Sequence, residues 1–281
     1  MPQQLLSIQS AVAYGHVGNS AAVFTLQRLG FAVCRLDTVT FSNHPAHGGH
    51  RGEAPPPARL RALVEGLDER GFLGRCDAAL SGYLGTAGSG AVVAEAVARL
   101  RRARPDALYA CDPVMGERPR GLYVAAELPA LFRERLVPAA DLVTPNLFEL
   151  ELLTGLPAES RDGALAAARA LLARGPSLVL ATGLEADARI GALAVSREGA
   201  WAAFSPRIAA PAHGAGDAFT AIFLARYLEK RDPARALSLA VSSMHAVMRA
   251  TADSGADELQ LVAAQDALVA PERLFAAERV A

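Results

Sequence analysis

Short apolar runs alternate along this chain with longer stretches in which apolar residues recur every three or four positions. The runs read as buried strands and the periodic stretches as helices packed by one face. Strands are predicted over Leu5–Ser10, Phe31–Phe41, Asp77–Tyr83, Leu108–Val114, Asp141–Thr144 and Ser177–Thr182. Helices are predicted over Ala21–Leu29, Ala58–Glu69, Gly90–Arg102, Leu128–Leu136, Leu147–Leu153 and Arg161–Ala173. Gly30, Pro145 and the pair Gly175-Pro176 punctuate them as helix or strand stops. Ile190–Val195 and Trp201–Phe204 flank Arg197-Glu198-Gly199 and predict a β-hairpin. Helices over Thr220–Glu229, Ala234–Arg249 and Glu258–Leu268 complete the reading.

Strand and helix in alternation predict an α/β fold: a mostly parallel central sheet with helices on both faces and a hairpin near 190–204. Ligands of such sheets bind beyond the carboxyl ends of the strands. The residues expected there are Ser10, Ser42 with Asn43, Tyr83, Asp112, Asn146 and Thr182, one strand end after another. Tyr14-Gly15-His16-Val17-Gly18-Asn19-Ser20 is a glycine-punctuated loop after the first strand. No repeat or change of composition divides the chain.

Composition narrows the partners. A net charge of −1 over 281 residues gives no electrostatic footprint for nucleic acid or a membrane surface. Lys230 is the only lysine, so a lysine-based phosphate loop is absent. Cys34, Cys76 and Cys111 are far apart and sit beside apolar runs, as core cysteines do. The chain shows no leader-like pattern and no apolar stretch of spanning length, so a cytoplasmic protein is expected.

The chemistry centres on His213-Gly214-Ala215-Gly216-Asp217 and the apolar run behind it. A glycine turn that opens a helix aims free N–H groups and the positive dipole end at one point. Asp217 would repel an anion held there, unless it takes a proton from a hydroxyl while the N–H groups hold a transferring phosphoryl group. Asp112 and Glu149 are the carboxylates assigned to Mg²⁺, which takes few protein ligands and keeps its waters. Asn146 lies one helical turn before Glu149. His44, His47 and His50 stand in the loop 42–52. Their spacing invites a metal reading, but a glycine-rich loop does not preset ligand geometry, so a substrate lid is expected instead.

Taken together, these segments resemble the pyridoxal kinases of the ribokinase superfamily. The resemblance is carried by Ser7-Ile8-Gln9-Ser10 with Tyr14 to Ala22, and by Phe41-Ser42-Asn43-His44. Ser81 to Gly85, Cys111 to Gly116, Thr144 to Leu150 and Gly214 to Asp217 continue it, in order, over nearly the whole chain. It implies one ribokinase-like kinase domain over 1–281, with Asp217 as base and the N–H groups of Gly214, Ala215 and Gly216 as anion hole. Ser10, Ser42, His44, His47 and Tyr83 fall on the substrate side, Asp217 touching the reacting hydroxyl. Asp112, Thr144, Asn146, Glu149 and Thr182 fall on the ATP side, with Asp112 and Glu149 also toward the metal. The family uses Mg²⁺ and ATP, often a potassium ion, and is usually a homodimer. Its small-molecule substrate is pyridoxal or a related vitamer, phosphorylated on the 5′-hydroxymethyl group.

The sequence also departs from the family pattern. Histidines occupy the lid positions where aromatics are common, Ala11 stands where histidine is frequent, and Gly-Ala-Gly-Asp is the general sugar-kinase form. The alternatives are a hydroxymethylpyrimidine-type kinase, an ATP-dependent NAD(P)H-hydrate dehydratase, and a vitamin B6-binding protein.

Overall fold

A computed structural model describes residues 3–281. Its strands alternate their side chains between two apolar layers. Leu108 and Ala110 face one layer while Tyr109 and Cys111 face the other, and Leu178 and Leu180 alternate likewise with Val179 and Ala181. Strands covered on both faces need apolar residues at every position, which is why they read as runs.

The first half builds one side of the sheet. Strand β1 (Gln4–Tyr14) leads into α1 (Asn19–Arg28), β2 (Ala32–Asn43) and a short β3 (Gly52–Glu53). Then come α2 (Pro57–Glu69), β4 (Ala78–Ser81), α3 (Ala87–Ala103) and β5 (Leu108–Cys111). A small hairpin follows, β6 (Gly116–Glu117) and β7 (Gly121–Leu122). Short helices α4 (Leu128–Leu131) and α5 (Val137–Ala139) are joined by a π turn over Phe132–Leu136. The second half runs β8 (Leu142–Val143), α6 (Leu147–Thr154), α7 (Arg161–Leu172) and β9 (Leu178–Ala186). It ends with β10 (Arg189–Ser196), β11 (Ala200–Pro206), α8 (Ala215–Lys230), α9 (Pro233–Ser254), α10 (Gln265–Val269) and β12 (Glu278–Arg279).

The ten-stranded sheet has the order β12-β11-β10-β9-β8-β5-β4-β1-β2-β3. The pairs from β2 through β1, β4, β5 and β8 to β9 are parallel, and both edges are antiparallel. One face is covered by α2, α3, α6 and α7, the other by α1, α8, α9 and α10. The mostly parallel α/β architecture and the 190–204 hairpin are therefore as expected.

Several element boundaries differ, four of them next to residues the site uses or a later contact explains. β1 does not stop at Ser10; it runs to Tyr14, with a break of register between Gln9 and Ala11. Such a bulge turns one residue out of the ladder without ending the strand. The strand predicted over Leu108–Val114 ends at Cys111, because Val114 N–H turns back to the Asp112 carbonyl (2.9 Å). α3 starts at Ala87 because Thr86 caps it, its hydroxyl accepting from Ser89 N–H (3.1 Å). The predicted helix over Glu258–Leu268 shrinks to Gln265–Val269. Its first turns are lost because Gln260 N–H donates to Thr251 Oγ1 (3.0 Å) and Glu258 is drawn toward His16.

Candidate active site

The carboxyl ends of the parallel strands open onto one cleft. Ser10, His44 and Tyr83 line one part of it. Asp112, Thr144, Asn146, Glu149 and Thr182 line another. Gly214, Gly216 and Asp217, at the start of α8, close it. Ser10 reaches the cleft from the β1 bulge.

Three predicted residues stand apart from the lining. Ser42 instead ties the lid into a hairpin: its hydroxyl accepts from Arg51 N–H (2.9 Å), and its own N–H donates to the Arg51 carbonyl (2.7 Å). His47 points to Glu258, with Nε2 3.1 Å from Oε1. Ala215 N–H is taken by the Ala212 carbonyl (2.9 Å), because left-handed Gly214 closes a tight turn there. The N–H groups of Gly214, Gly216 and Asp217 have no backbone acceptor among the described residues. Of the expected trio, Gly214 and Gly216 thus keep N–H groups free of backbone acceptors, Ala215 does not, and Asp217 N–H is a further free donor.

Two glycines hold this turn against the rest of the site. Gly214 has φ +81°, and a Cβ there would lie 1.6 Å from the His16 carbonyl oxygen. Gly18 has φ +53°, and its Cβ would lie 2.3 Å from Ser10 Oγ. Both are therefore fixed by close approach as well as by conformation. Gly18 N–H faces the Asp217 carboxylate and lowers its pKa, but burial outweighs this and raises Asp217 to about 6.

Asp112 is buried, and burial, then the charges of Glu149 and Asp217, push its pKa well above the usual carboxylate range. Thr220 Oγ1 lies 3.2 Å from Asp112 Oδ2 and 3.1 Å from Thr144 Oγ1, linking α8 to the strand ends. Glu149 closes a capping box on α6. Its Oε2 accepts from Asn146 N–H (2.9 Å) and Asn146 Oδ1 accepts from Glu149 N–H (2.9 Å). Its Oε1 accepts from Met115 N–H (2.9 Å), fixing the turn after Asp112. Burial still raises Glu149 to about 7. The first-turn position thus reads as a cap, yet the side chain is buried at the cleft rather than solvated.

The lid histidines go three ways. His44 stacks on His213 (centroids 4.4 Å), His50 lies against Phe41 (4.2 Å), and His47 meets Glu258. No group of three or more His, Cys, Asp or Glu among the described residues is arranged to hold a metal. Burial, followed by His213, His47 and Arg120, lowers His44 to about 4, so its ring is neutral near pH 7. Ala46 N–H donates to its Nδ1 (3.3 Å), which places the ring proton on Nε2 as a donor.

The β6–β7 hairpin was not predicted, and with Tyr123 just beyond β7 it supplies Glu117, Arg120 and Tyr123 to the cleft. Arg120 is the only lysine or arginine in the lining among the described residues, with its guanidinium 5.3 Å from the Tyr123 ring centroid. The Gly116 to Gly121 spacing around Pro119 is the signal the sequence offers for it.

Comparison with known proteins decides the family. The phosphomethylpyrimidine kinase family pattern matches residues 60–261. The pyridoxal kinase PdxY of Rubrobacter xylanophilus is 51% identical over 99% of this chain and 97% of that protein. That of Deinococcus radiodurans is 49% identical over 100% and 97%. The chain belongs to the pyridoxal kinase family. A pyridoxal kinase from Leishmania donovani, solved with ADP and pyridoxamine, superposes with a TM-score of 0.94 at 30% identity, covering 99% of this chain and 100% of that one. The ribokinase-like fold of the pyridoxal kinases is thus the fold of this chain. No helix among the described residues is long and apolar enough to cross a membrane.

Proposed function

We infer that this chain transfers the γ-phosphoryl group of ATP to the 5′-hydroxymethyl oxygen of pyridoxal and related vitamers, giving pyridoxal 5′-phosphate. The observation that carries the reading is the start of α8: a carboxylate raised to about 6 beside N–H groups without backbone acceptors, all in one cleft. Asp217 accepts the hydroxyl proton as the oxygen attacks phosphorus. The N–H groups of Gly214, Gly216 and Asp217 hold the charge that builds on the transferring group. Ser10, Tyr83 and His44 orient the ring, and His44 Nε2 offers it a proton donor. Asn146, Thr144 and Thr182 lie on the nucleotide side.

The donor set fits Mg²⁺. Asp112, Glu149 and Asp217 are desolvated together, and Arg120 is the one cationic side chain of Lys or Arg type beside them among the described residues. Asp112 and Glu149 would hold the ion, which supplies charge neutralisation to the phosphates when bound. A potassium requirement, a homodimer and a single kinase domain under the 42–52 lid rest on the resemblance.

A hydroxymethylpyrimidine-type kinase is the second reading, favoured by the family pattern over residues 60–261. A coupled ADP-release screen over pyridoxal, pyridoxine, pyridoxamine and hydroxymethylpyrimidine tests both, with product analysis. Turnover on the pyrimidine alone would overturn the vitamer reading. ATP cleavage without a phosphorylated product would point to the dehydratase, and vitamer binding without turnover to a binding protein.

Two variants probe the ATP side. Arg120→Ala is expected to raise KM for ATP about 10-fold or more, the scale of one hydrogen bond to a charged group. Calorimetric ADP binding should weaken in parallel; unaltered ADP affinity removes Arg120 from the phosphates. Glu149→Gln is expected to raise the Mg²⁺ requirement and lower Tm, since an amide cannot accept on both atoms from Asn146 and Met115 N–H. A lowered Tm with the same Mg²⁺ dependence would leave Glu149 only its capping role.

A further inference from the structure

Glu258 is buried, yet it lies outside the cleft lining and in a segment that the sequence pattern assigned to a helix. Its carboxyl group joins two loops of the active site. Oε2 accepts from His16 N–H at 3.0 Å. Oε1 makes no well-aligned hydrogen bond, and Nε2 of His47 lies 3.1 Å from it. Gly15 is shaped to this group: it has φ +97°, and a Cβ there would fall 2.6 Å from the Glu258 carboxyl atoms.

Each loop held by Glu258 touches the chemistry. His16 belongs to the turn whose carbonyl backs Gly214 and whose Gly18 N–H faces Asp217. His47 belongs to the lid and meets His213 edge-on (6.2 Å), while His44 of the same lid stacks on His213. Tyr14, whose ring is 5.8 Å from that of His47, donates to Asp257 Oδ1 at 2.9 Å and closes the circuit from the neighbouring residue. A buried carboxylate oxygen gains most from a donor that water cannot replace. The lid imidazole is placed to be that donor.

We propose that Glu258 is a positioning residue, which latches the 44–51 lid through His47 and fixes the Tyr14–Gly18 turn with the same carboxylate. It touches no substrate. It acts by keeping the lid down while the vitamer is bound and by keeping Gly18 against Asp217. The idea rests on the kinase reading for its kinetic consequence, and on geometry alone for the latch.

Hydrogen exchange in the ligand-free protein tests the latch without reference to any substrate. His47→Gln and Glu258→Gln are each expected to speed exchange over 44–51 at least about 5-fold, with exchange in β4 and β5 at the wild-type rate. Kinetics then separate position from stability: KM for the vitamer should rise at least about 5-fold in each, with the smaller share of the loss in kcat. The double variant should be no worse than the worse single one, because both remove one contact. Wild-type exchange over 44–51 in both variants overturns the proposal, as do losses that add in the double variant. Glu258→Asp, which keeps the carboxylate on a shorter stem, should restore part of the protection; Glu258→Ala should restore none. A wild-type protein that phosphorylates no vitamer would sink the kinase reading and leave the exchange result standing.

Discussion

Asp217→Asn is expected to lower kcat by at least about 10²-fold while changing the vitamer's apparent affinity little. A primary alcohol is a poor nucleophile, and a positioned base contributes about 10²–10⁴-fold to its attack. Asn keeps the shape, and its Oδ1 can still accept from Gly18 N–H. Ser10, Tyr83 and the lid would still hold the substrate. A residue that merely begins a helix predicts near-normal turnover, because Asn serves there about as well as Asp. Retention of more than about a tenth of wild-type kcat would remove Asp217 as the base.

The same carboxylate makes a second, opposite prediction about stability. Burial raises its pKa from 3.8 to about 6 in the folded chain, so the charged form is disfavoured by folding. The penalty is absent below the unfolded pKa of 3.8, grows as pH rises from there to about 6, and is complete above it. Asp217→Asn should therefore be more stable than the parent at pH 8, by about 1–3 kcal/mol, and equal to it below about pH 3. In the parent, kcat/KM should fall on the acid side with a limb near 6, where the base of the free enzyme takes up its proton. A variant less active and more stable at once is the mark of a functional charge kept at a structural cost.

Most of the frame was legible because buried parallel strands leave a coarse signal. β5, β8 and β9 carry apolar residues toward both layers, and no loop imitates that. The glycine turn was legible for the same reason, since its two glycines precede an apolar run. What escaped was set by contacts distant in sequence. Ser10 lines the cleft as expected, but the strand runs past it to Tyr14 through a register break that depends on β2. Glu258 looked like the start of a helix until His16, 242 residues away, claimed its carboxylate. Arg120 sits in a polar hairpin whose short strands bury almost nothing. The lid reading puts His44 and His47 together on the substrate side, whereas the 3₁₀ turn over Pro45–His47 turns the two rings to different partners, His213 and Glu258.

The paired variants Gly216→Ala and Gly214→Ala should fail in different ways. No protein atom lies within 4 Å of a Cβ built on Gly216, and its φ is not in the left-handed region. Alanine there suits the first turn of α8 and gains about 0.5–1 kcal/mol over glycine. Tm should therefore hold or rise. Yet Gly216 lines the cleft, and its N–H is one of those without a backbone acceptor. A methyl group beside that N–H would crowd an approaching phosphoryl oxygen, so kcat should fall at least about 10-fold, with ADP binding weakened as well. Gly214 offers no such separation. Its Cβ would sit 1.6 Å from the His16 carbonyl oxygen, and its left-handed backbone alone costs alanine about 1–2 kcal/mol. The turn from His16 to Gly18 must then move, and with it the N–H that faces Asp217. A shift of about 1 Å at a reacting group is enough to cost about 10²-fold in rate. Gly214→Ala should thus lose both Tm and turnover, while Gly216→Ala loses turnover alone. Thermal melts and single-turnover rates on the two proteins separate these outcomes. A Gly216→Ala enzyme with wild-type kcat and ADP affinity would mean that the phosphoryl group is held elsewhere in the cleft, with Arg120 the first residue to examine.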